Sequence, residues 1–202
     1  MLRNHLKSIL DNLGIEYVEA EGEAAFYGPK LDIQCKNVWG KEDTIITIQV
    51  DFELAHKFDM TYVDSNGEKQ YPVIIHRTSL GCYERTLALL IEKYAGALPT
   101  WLAPVQVKIL PITNAQDDYA AELNKKLLSN GFRVEIDNRN EKIGYRIREA
   151  QLSKTPYMIV VGEKEVEENL ISIRSRKNGD MGQMNVDEFI AKLRSEVENF
   201  EK

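Results

Sequence analysis

The sequence predicts two folds in succession: an α+β region with an antiparallel sheet, followed by an α/β domain with a mostly parallel, helix-covered sheet. Three observations predict this order. Residues 15–77 contain strand and turn patterns without a long helix between them. Pro99 and Pro104 then interrupt the pattern. Beyond them strand-like and helix-like segments alternate, which is typical of βαβ units. We therefore predict two domains, residues 1–103 and 104–202.

The N-terminal segment predicts a helix, because its apolar residues recur at helical spacing and Gly14 stands where the helix would stop. Strands are predicted at 31–35 and 43–52, with Gly40 as the turn residue between them. Alternate residues of the second strand are apolar, and the residues between them are Thr47, Gln49 and Asp51. We interpret this segment as a half-buried strand with one hydrogen-bonding face.

A hairpin and a helix complete the first region. Residues 62–77 contain Asn66-Gly67, a strong hairpin signal, between two strand-like runs. Residues 84–96 predict an amphipathic helix, whose inward stripe is Leu87, Leu90, Ile91 and Tyr94. Because strands follow one another without a crossover helix, the sheet is expected to be antiparallel.

The second region alternates between the two periodicities. Its strands are predicted at 105–112, 132–137, 156–162 and 170–176. Its helices are predicted at 117–130, 143–154 and 185–200. This alternation favours parallel strands with helices covering the sheet.

The composition limits the class of protein. The chain has 202 residues, 43% of them hydrophobic and 29% charged, which fits a globular protein with a core. No apolar run approaches the roughly 20 residues that span a bilayer, so no membrane partner is expected. Two cysteines suit a reducing compartment, and we expect a cytoplasmic location. The net charge of −6 argues against a general nucleic-acid coat protein, but segments 139–154 and 172–177 are locally basic.

His76 and Arg85 flank a glycine turn between a strand and a helix. His76 ends an apolar strand, where its ring could face a cleft or serve as a hydrogen-bonded structural histidine. Arg85 lies in the first helical turn, where its charge opposes the helix dipole unless an anion compensates. An exposed arginine paired with Glu84 is the alternative.

Tyr27 and Lys30 flank the turn at Gly28-Pro29 in the segment EGEAAFYGPK. They place an aromatic ring and a positive charge beside one tight turn. An ordinary surface loop with an aromatic anchor would have the same pattern.

Several blocks in order identify a family. They are AEGEAAFYGPKLDI, TIQVDF, VIIHRTSLGCYERT, LPTWLAPVQV, RNEKIGYRIREAQ and PYMIVVGEKEVE. Together they resemble the C-terminal part of the threonyl-tRNA synthetases, a family of class II aminoacyl-tRNA synthetases, over nearly the whole chain. The resemblance implies the end of a catalytic domain in residues 1–103 and an anticodon-binding domain in residues 104–202.

The resemblance implies roles for residues of the first domain. GCYER resembles the third conserved motif of class II enzymes, whose arginine contacts ATP, so Arg85 is the candidate for ATP. Lys30 and Gln49 are further catalytic candidates. Candidate substrate-binding residues are Tyr27, Thr47, His76 and Cys82. Cys82 replaces a serine that is usual in the motif, and Asp43-Thr44-Ile45 replaces a Trp-Gln-Cys run.

The resemblance also implies an RNA site and a metal. Asn140, Glu165 and Arg174 match residues that bind anticodon bases, and Lys154 and Arg176 are expected to meet phosphate. An ordinary solvated run is the alternative for Glu165, since EKEVEE is strongly charged. His76 matches one of three zinc ligands, and the other two are expected upstream of this chain.

The implied function is threonine–tRNA ligase, with zinc, ATP and magnesium as cofactors and tRNA-Thr and threonine as partners. We expect the parent enzyme to be a homodimer, and the sequence leaves the oligomeric state of this part open. Because the first two catalytic motifs of the family are expected upstream, these 202 residues alone should not form threonyl-adenylate. They should retain anticodon binding.

Two alternatives remain open from the sequence. One is a non-catalytic RNA-binding paralogue that keeps only the anticodon-type domain. The other is a related class II ligase for proline, glycine or histidine, against which FYGPK and the surroundings of His76 argue.

Overall fold

The computed structural model describes residues 2–201, with side chains from residue 4 onward. The chain divides into two compact units, Met1–Glu92 and Lys93–Lys202. The sequence predicts a boundary after residue 103, whereas residues 93–103 group with the second unit.

The first unit contains an antiparallel three-stranded sheet of order β1-β2-β5 and a separate β3-β4 hairpin. Its elements are α1 (Leu2–Asn12), β1 (Lys30–Lys36), β2 (Glu42–Asp51), α2 (Leu54–Lys57), β3 (Tyr62–Val63), β4 (Lys69–Gln70), β5 (Ile74–Arg77) and α3 (Tyr83–Tyr94). The predicted antiparallel sheet is confirmed.

Two glycines bring loops against the central strand β2. A Cβ on Gly28 would lie 2.0 Å from the carbonyl oxygen of Val50, and one on Gly81 would lie 2.0 Å from that of Ile45. Gly81 also has a φ of +66°, in the region that favours glycine. These two positions therefore fix the loop before β1 and the turn before α3 next to β2.

The second unit contains a mixed five-stranded sheet of order β10-β9-β8-β6-β7. Its elements are β6 (Val107–Pro111), a 3₁₀ turn (Asn114–Gln116), α4 (Asp117–Ser129), β7 (Val134–Ile136), α5 (Ile143–Leu152), β8 (Tyr157–Val161), α6 (Glu163–Glu168), β9 (Ile171–Ser175), β10 (Gly179–Met184) and α7 (Val186–Glu198). Strands β7, β6 and β8 are parallel, and β9 and β10 continue the sheet antiparallel. The predicted α/β architecture is confirmed, with the antiparallel strands at one side.

Apolar side chains cover both faces of this sheet. On one face, buried residues of β6, β8 and β9 pack with α4 and α7, including Leu127, Phe189 and Leu193. On the other face, Leu110 and Met158 pack with Ala150 of α5. Helix α5 contacts β6 on this face, and Ser172 and Arg174 of β9 are half-buried.

Two elements of the second unit differ from the sequence-based prediction. Helix α6 forms in the charged run EKEVEE, for which a solvated segment was one alternative. Glu165, at position N3, accepts a hydrogen bond from the amide of Gly162 and so caps the start of this helix. Strand β10 forms in a glycine-containing segment that was not predicted as a strand. Its pairing with β9 is irregular between Asp180 and Gln183, so simple alternation is lost.

Helix α3 forms at the predicted place, but its predicted inward stripe is not buried. None of its residues is buried, and Leu87 and Ile91 are 52% and 47% exposed. Among the helices of residues 2–201, none combines the length and apolar character needed to cross a membrane.

Candidate functional site

Five predicted residues lie close together on the sheet of the first unit. Gln49 in β2 lies opposite Lys30 of β1 on one side and opposite His76 of β5 on the other. Thr47 is two residues from Gln49 on the same strand face. Tyr27 reaches this row from the loop before β1. We call Tyr27, Lys30, Thr47, Gln49 and His76 the sheet-face cluster.

Hydrogen bonds and ring contacts order the cluster. The Tyr27 hydroxyl donates to Gln49 Oε1 over 2.5 Å, and the Tyr27 and His76 ring centroids are 6.1 Å apart. Because Gln49 Oε1 accepts from the phenol, the amide nitrogen of Gln49 is free to donate to a ligand. The cluster therefore offers oriented donors on an accessible strand face.

Asp51 was not predicted as a site residue, yet it holds His76. It is 3% exposed, and its Oδ2 lies 2.9 Å from His76 Nε2. Its Oδ1 accepts from the amides of Glu53 and Leu54 over 2.8 and 2.9 Å. Burial alone would raise the pKa of Asp51, but the hydrogen bonds from His76 and the two amides outweigh it and lower that pKa.

The ionised Asp51 carboxylate can only accept, so His76 presents a protonated Nε2 to it. In the neutral ring, the other nitrogen, Nδ1, is then the acceptor. The sequence signal for Asp51 was present, because it continues the polar positions Thr47 and Gln49 along β2. Polarity alone did not show that Asp51 is buried and paired.

Lys30 is paired with Asp32 on its own strand. Its Nζ lies 2.7 Å from Asp32 Oδ2, and this hydrogen bond raises the pKa of Lys30 although burial opposes it. Burial would raise the pKa of Asp32, but hydrogen bonding to Lys30 and Thr47 and the positive charge of Lys30 together outweigh it and lower that pKa. Asp32 lies opposite Thr47 in the sheet, so the ammonium is held at the edge of the sheet-face cluster.

Cys82 lies immediately before α3, and Arg85 lies in the first turn of that helix. Arg85 Nη1 donates to the carbonyl oxygen of Thr44 over 2.8 Å, and Cys82 Sγ is 2.8 Å from Glu84 Oε2. Thr44 precedes Thr47 by three residues, a distance of about 10 Å along a strand. The carbonyl oxygen that Arg85 contacts is therefore displaced along β2 from the sheet-face cluster.

The residues described here do not by themselves fit a zinc ion. Among the described side chains, no group of three His, Cys, Asp or Glu residues could hold a metal. His76 has one nitrogen against Asp51, and the two cysteines, Cys35 and Cys82, are free thiols. Structural and catalytic zinc sites need three or four protein ligands, so these residues alone do not form a zinc site.

The second unit carries a polar patch on β9, β10 and α6. Glu165 Oε1 accepts from Ser172 Oγ and from Gln183 Nε2, each over 2.7 Å, and its Oε2 accepts from the amide of Gly162 over 2.8 Å. Burial would raise the pKa of Glu165, but these hydrogen bonds outweigh it and lower that pKa. Arg174 follows Ser172 by two residues in β9 and so lies on the same face. We call Glu165, Ser172, Arg174 and Gln183 the β9–β10 patch.

Arg174 is the charged residue of this patch whose side chain makes the fewest hydrogen bonds. Its Nη1 lies 3.9 Å from Asp180 Oδ2, too far for a hydrogen bond, and its Nε has no partner among the described residues. The side chain is 37% exposed. Because the Nε is itself buried, the four N–H donors of the two terminal nitrogens are those available to an incoming acceptor.

Asn140 lies in a cleft of about 440 Å³ at the carboxyl ends of β6 and β7, lined also by Thr113 and Asn114. Buried Arg146 holds the walls of this cleft together. Its guanidinium donates to three carbonyl oxygens, those of Ile112, Asp137 and Glu141. Carboxyl-end crevices of this kind are where open α/β sheets bind ligands.

Lys154 and Arg176 lie at the opposite end of the sheet, before β8 and after β9. Lys154 Nζ donates to the carbonyl oxygen of Ala95, and Arg176 Nη2 donates to that of Leu98 over 2.8 Å. The structure therefore brings Glu165 and Arg174 together and places Lys154 apart from them. The contact of Lys154 with RNA phosphate stays a prediction.

An antiparallel sheet with a row of polar side chains, followed by an α/β unit with a polar patch, is the arrangement expected of a class II aminoacyl-tRNA synthetase core with its anticodon-binding domain. Residues 2–94 match the tRNA synthetase class II core domain (G, H, P, S and T), and residues 106–196 match the anticodon binding domain. The chain therefore belongs to the class II aminoacyl-tRNA synthetases. Within that class, it belongs to the threonyl-tRNA synthetase family.

The threonine–tRNA ligase of Clostridium botulinum (strain Eklund 17B / Type B) is 61% identical over 197 residues, 98% of this chain. That of Clostridium perfringens (strain SM101 / Type A) is 60% identical over 199 residues, and that of Clostridium tetani is 53% identical over 196. The chain spans 31% of the length of each of these relatives. The crystal structure of the RNA binding domain of threonyl-tRNA synthetase from Cryptosporidium parvum Iowa II matches with a TM-score of 0.84 and 36% identity, over 96% of this chain and 49% of that one.

Proposed function

We propose that this chain is the part of a threonine–tRNA ligase that binds the anticodon and supplies one side of the aminoacyl-adenylate site. The proposed RNA binding rests on one observation. The guanidinium of Arg174, on the open β9–β10 patch, makes no hydrogen bond to a described residue. Bases of a single-stranded loop expose acceptors that such a group can bind. Relatives named as threonine–tRNA ligases over nearly the whole chain support the choice of tRNA-Thr.

In this proposal the anticodon lies across the carboxyl-end cleft and the β9–β10 patch. Asn140 offers both amide donors and an acceptor in the cleft, and Arg174 offers donors on the patch. Glu165 contributes mainly by holding its neighbours, because three hydrogen bonds already occupy its carboxylate. A lone pair of Glu165 remains for one base donor.

Binding of tRNA-Thr by the 202-residue chain tests this proposal. Arg174→Ala should weaken binding by about 1–3 kcal/mol if Arg174 contacts a base edge. The loss should be larger for tRNA-Thr than for a tRNA with an unrelated anticodon, measured at one salt concentration by filter binding. Arg194→Ala is the matched control, because Arg194 is exposed on α7 and bonds Asn130. Equal affinities of the wild-type chain and the Arg174 variant would rule out this role.

For the whole ligase we propose activation of threonine by ATP and its transfer to the tRNA. Tyr27, Thr47, Gln49 and His76 would face the amino acid, and Lys30 and Arg85 the phosphates. The spacing of Arg85 from the sheet-face cluster supports this division. Arg85 would exchange the Thr44 carbonyl for phosphate oxygens, which a planar guanidinium binds well. Cys82, immediately before α3, would lie near Arg85.

Class II tRNA synthetases use ATP and magnesium, and such catalysis rests on positioning and on stabilising phosphoryl charge. In the whole ligase, Arg85→Ala should lower threonine-dependent ATP–pyrophosphate exchange by about 10²–10³-fold. Lys41→Ala, in the exposed β1–β2 turn, is the control and should leave exchange unchanged. We also propose a cytoplasmic, homodimeric ligase. Analytical ultracentrifugation of the whole protein tests the dimer.

A further inference from the structure

Gln183 of β10 is an exposed glutamine whose amide is nevertheless held in one orientation. Its Nε2 donates to Glu165 Oε1 over 2.7 Å. Glu165 is 9% exposed, and its carboxylate is fixed by the Gly162 amide and the Ser172 hydroxyl as well. Gln183 therefore attaches to a rigid, anchored acceptor rather than to another surface side chain.

The chemistry of this partner decides which way the amide of Gln183 points. An ionised carboxylate accepts only, so the NH₂ group of Gln183 must face Glu165. The carbonyl oxygen Oε1 then points away from Glu165 and makes no hydrogen bond to another described residue. The result is a fixed acceptor on an exposed strand.

This acceptor lies next to the free donors of Arg174. Gln183 is directly opposite Ser172 in the sheet, and Arg174 is two residues further along β9, about 7 Å away. Arg174 presents donors and Gln183 presents an acceptor on one open face. A nucleobase edge that carries an acceptor and an amino donor side by side matches this pair.

We propose that Gln183 is a specificity-determining residue of the anticodon site and accepts a hydrogen bond from the exocyclic amino group of a base. This proposal rests on the proposed binding of tRNA-Thr and names a base contact within that site. Glu165 acts as the positioning residue, because it sets the amide orientation without needing to touch the base.

The threonine codons determine which RNA can test this contact. Threonine codons begin with AC, so their anticodons end in GU. In the anticodon UGU, the central guanine carries the one exocyclic amino group, since uracil has none. Replacing this guanine by inosine removes that amino group and leaves the carbonyl that an arginine would bind.

The experiment measures binding of the 202-residue chain to a tRNA anticodon stem-loop with UGU or with inosine in place of the guanine. The wild-type chain should bind the inosine form about five- to tenfold more weakly, as expected for one hydrogen bond. Gln183→Met should bind both forms with affinities that differ by less than about twofold. Gln70→Met, in the exposed β4 strand of the first unit, should retain the full penalty.

Each outcome decides the proposal. An inosine penalty that is the same in the wild-type chain and in Gln183→Met overturns the role of Gln183 but leaves the proposed function standing. No binding of the UGU stem-loop by the wild-type chain overturns both. Circular dichroism melting of Gln183→Met checks that the variant is folded. A loss of penalty confined to this variant establishes the contact.

Discussion

The two units bury their apolar residues very differently. In the second unit, a cluster around Leu127, Phe189 and Leu193 is almost inaccessible, and a smaller cluster covers the other face of the sheet. In the first unit, the buried apolar side chains among the described residues are Leu10, Val50 and Ala55. The second unit therefore has a core of its own, whereas the first has a sheet with little beneath it.

This difference shows where each site obtains its rigidity. The β9–β10 patch lies on strands whose reverse face is packed, so its side chains are held by a stable scaffold. The sheet-face cluster lies on strands whose apolar neighbours remain open, with Ile75 65% and Ile33 47% exposed. Exposed apolar surface of this extent is typical of a surface that another protein surface covers.

Shortening a buried leucine should destabilise the second unit far more than shortening an exposed leucine destabilises the first, and this is the largest effect that we expect. Leu193 is fully buried, so Leu193→Ala should lower the free energy of unfolding of the second unit by about 2–5 kcal/mol. Leu87, half exposed on α3, is the matched control, and Leu87→Ala should cost less than about 1 kcal/mol.

The chain has two tryptophans, Trp39 in the first unit and Trp101 in the second, so each unit has its own reporter. In a Trp39→Phe background, Trp101, which packs against Phe200, should follow urea unfolding of the second unit. Similar midpoint shifts for the two leucine variants would show that the contrast in burial has no counterpart in stability.

Removing Arg146 should have the next largest effect. Arg146→Met leaves three carbonyl oxygens without their donor, at a cost of about 2–3 kcal/mol to the second unit. The cleft beside Asn140 should loosen, so hydrogen exchange should rise at 112–115 and 138–141. Arg146→Lys keeps the charge but not the planar fork, and should lie between the wild type and Arg146→Met. Unchanged exchange in Arg146→Met would remove Arg146 as the residue that joins the loops.

Arg146 also shows what the sequence can and cannot predict. It lies three residues after Ile143 on the buried stripe of α5, so its inward placement has a sequence signal. Two of its carbonyl partners, Asp137 and Glu141, lie in the loop just before α5, whereas the third, Ile112, is 34 residues away, and no local pattern indicates that contact. Asp51 is a second example. The sequence shows that it is polar, but not that it pairs with His76, 25 residues away.

The fold was predictable wherever one periodicity dominated. The strands and helices from β6 to β8 follow strong patterns and form as predicted. Strand β10 was missed because Gly179 and Gly182 suggest a turn, and its pairing depends on β9 rather than on its own residues. Gln183 was missed with it, since its role depends on contact with Glu165.

Protonation of Asp137 at low pH should lower the free energy of unfolding of the second unit. We expect this effect to be smaller than that of removing Arg146. Its hydrogen bond with Arg139 lowers the pKa of this 6% exposed carboxyl group, against the effect of burial. A lowered folded-state pKa means that the stabilisation is present above about pH 4, the unfolded value, and is lost as the pH falls through the folded value. Asp137→Asn should cost about 1 kcal/mol at pH 7 and flatten the dependence of stability below pH 4. An equally steep decline in the variant would assign the acid sensitivity to other carboxyl groups.

The smallest expected effect concerns the orientation of one ring in the less packed unit. In Asp51→Asn, Oδ1 can still accept from the amides of Glu53 and Leu54, but an NH₂ group replaces the oxygen that faces His76 Nε2. Because an amide NH₂ donates, Nε2 must become the acceptor, and the proton of the neutral ring moves to Nδ1. Nitrogen-15 NMR of labelled histidine at pH 8 distinguishes the two tautomers. His56→Gln removes a histidine outside the pair and should leave the His76 signal unchanged. Identical His76 tautomers in the wild type and in Asp51→Asn would mean that the open sheet does not hold this pair in solution, which would extend the contrast between the units from stability to the site itself.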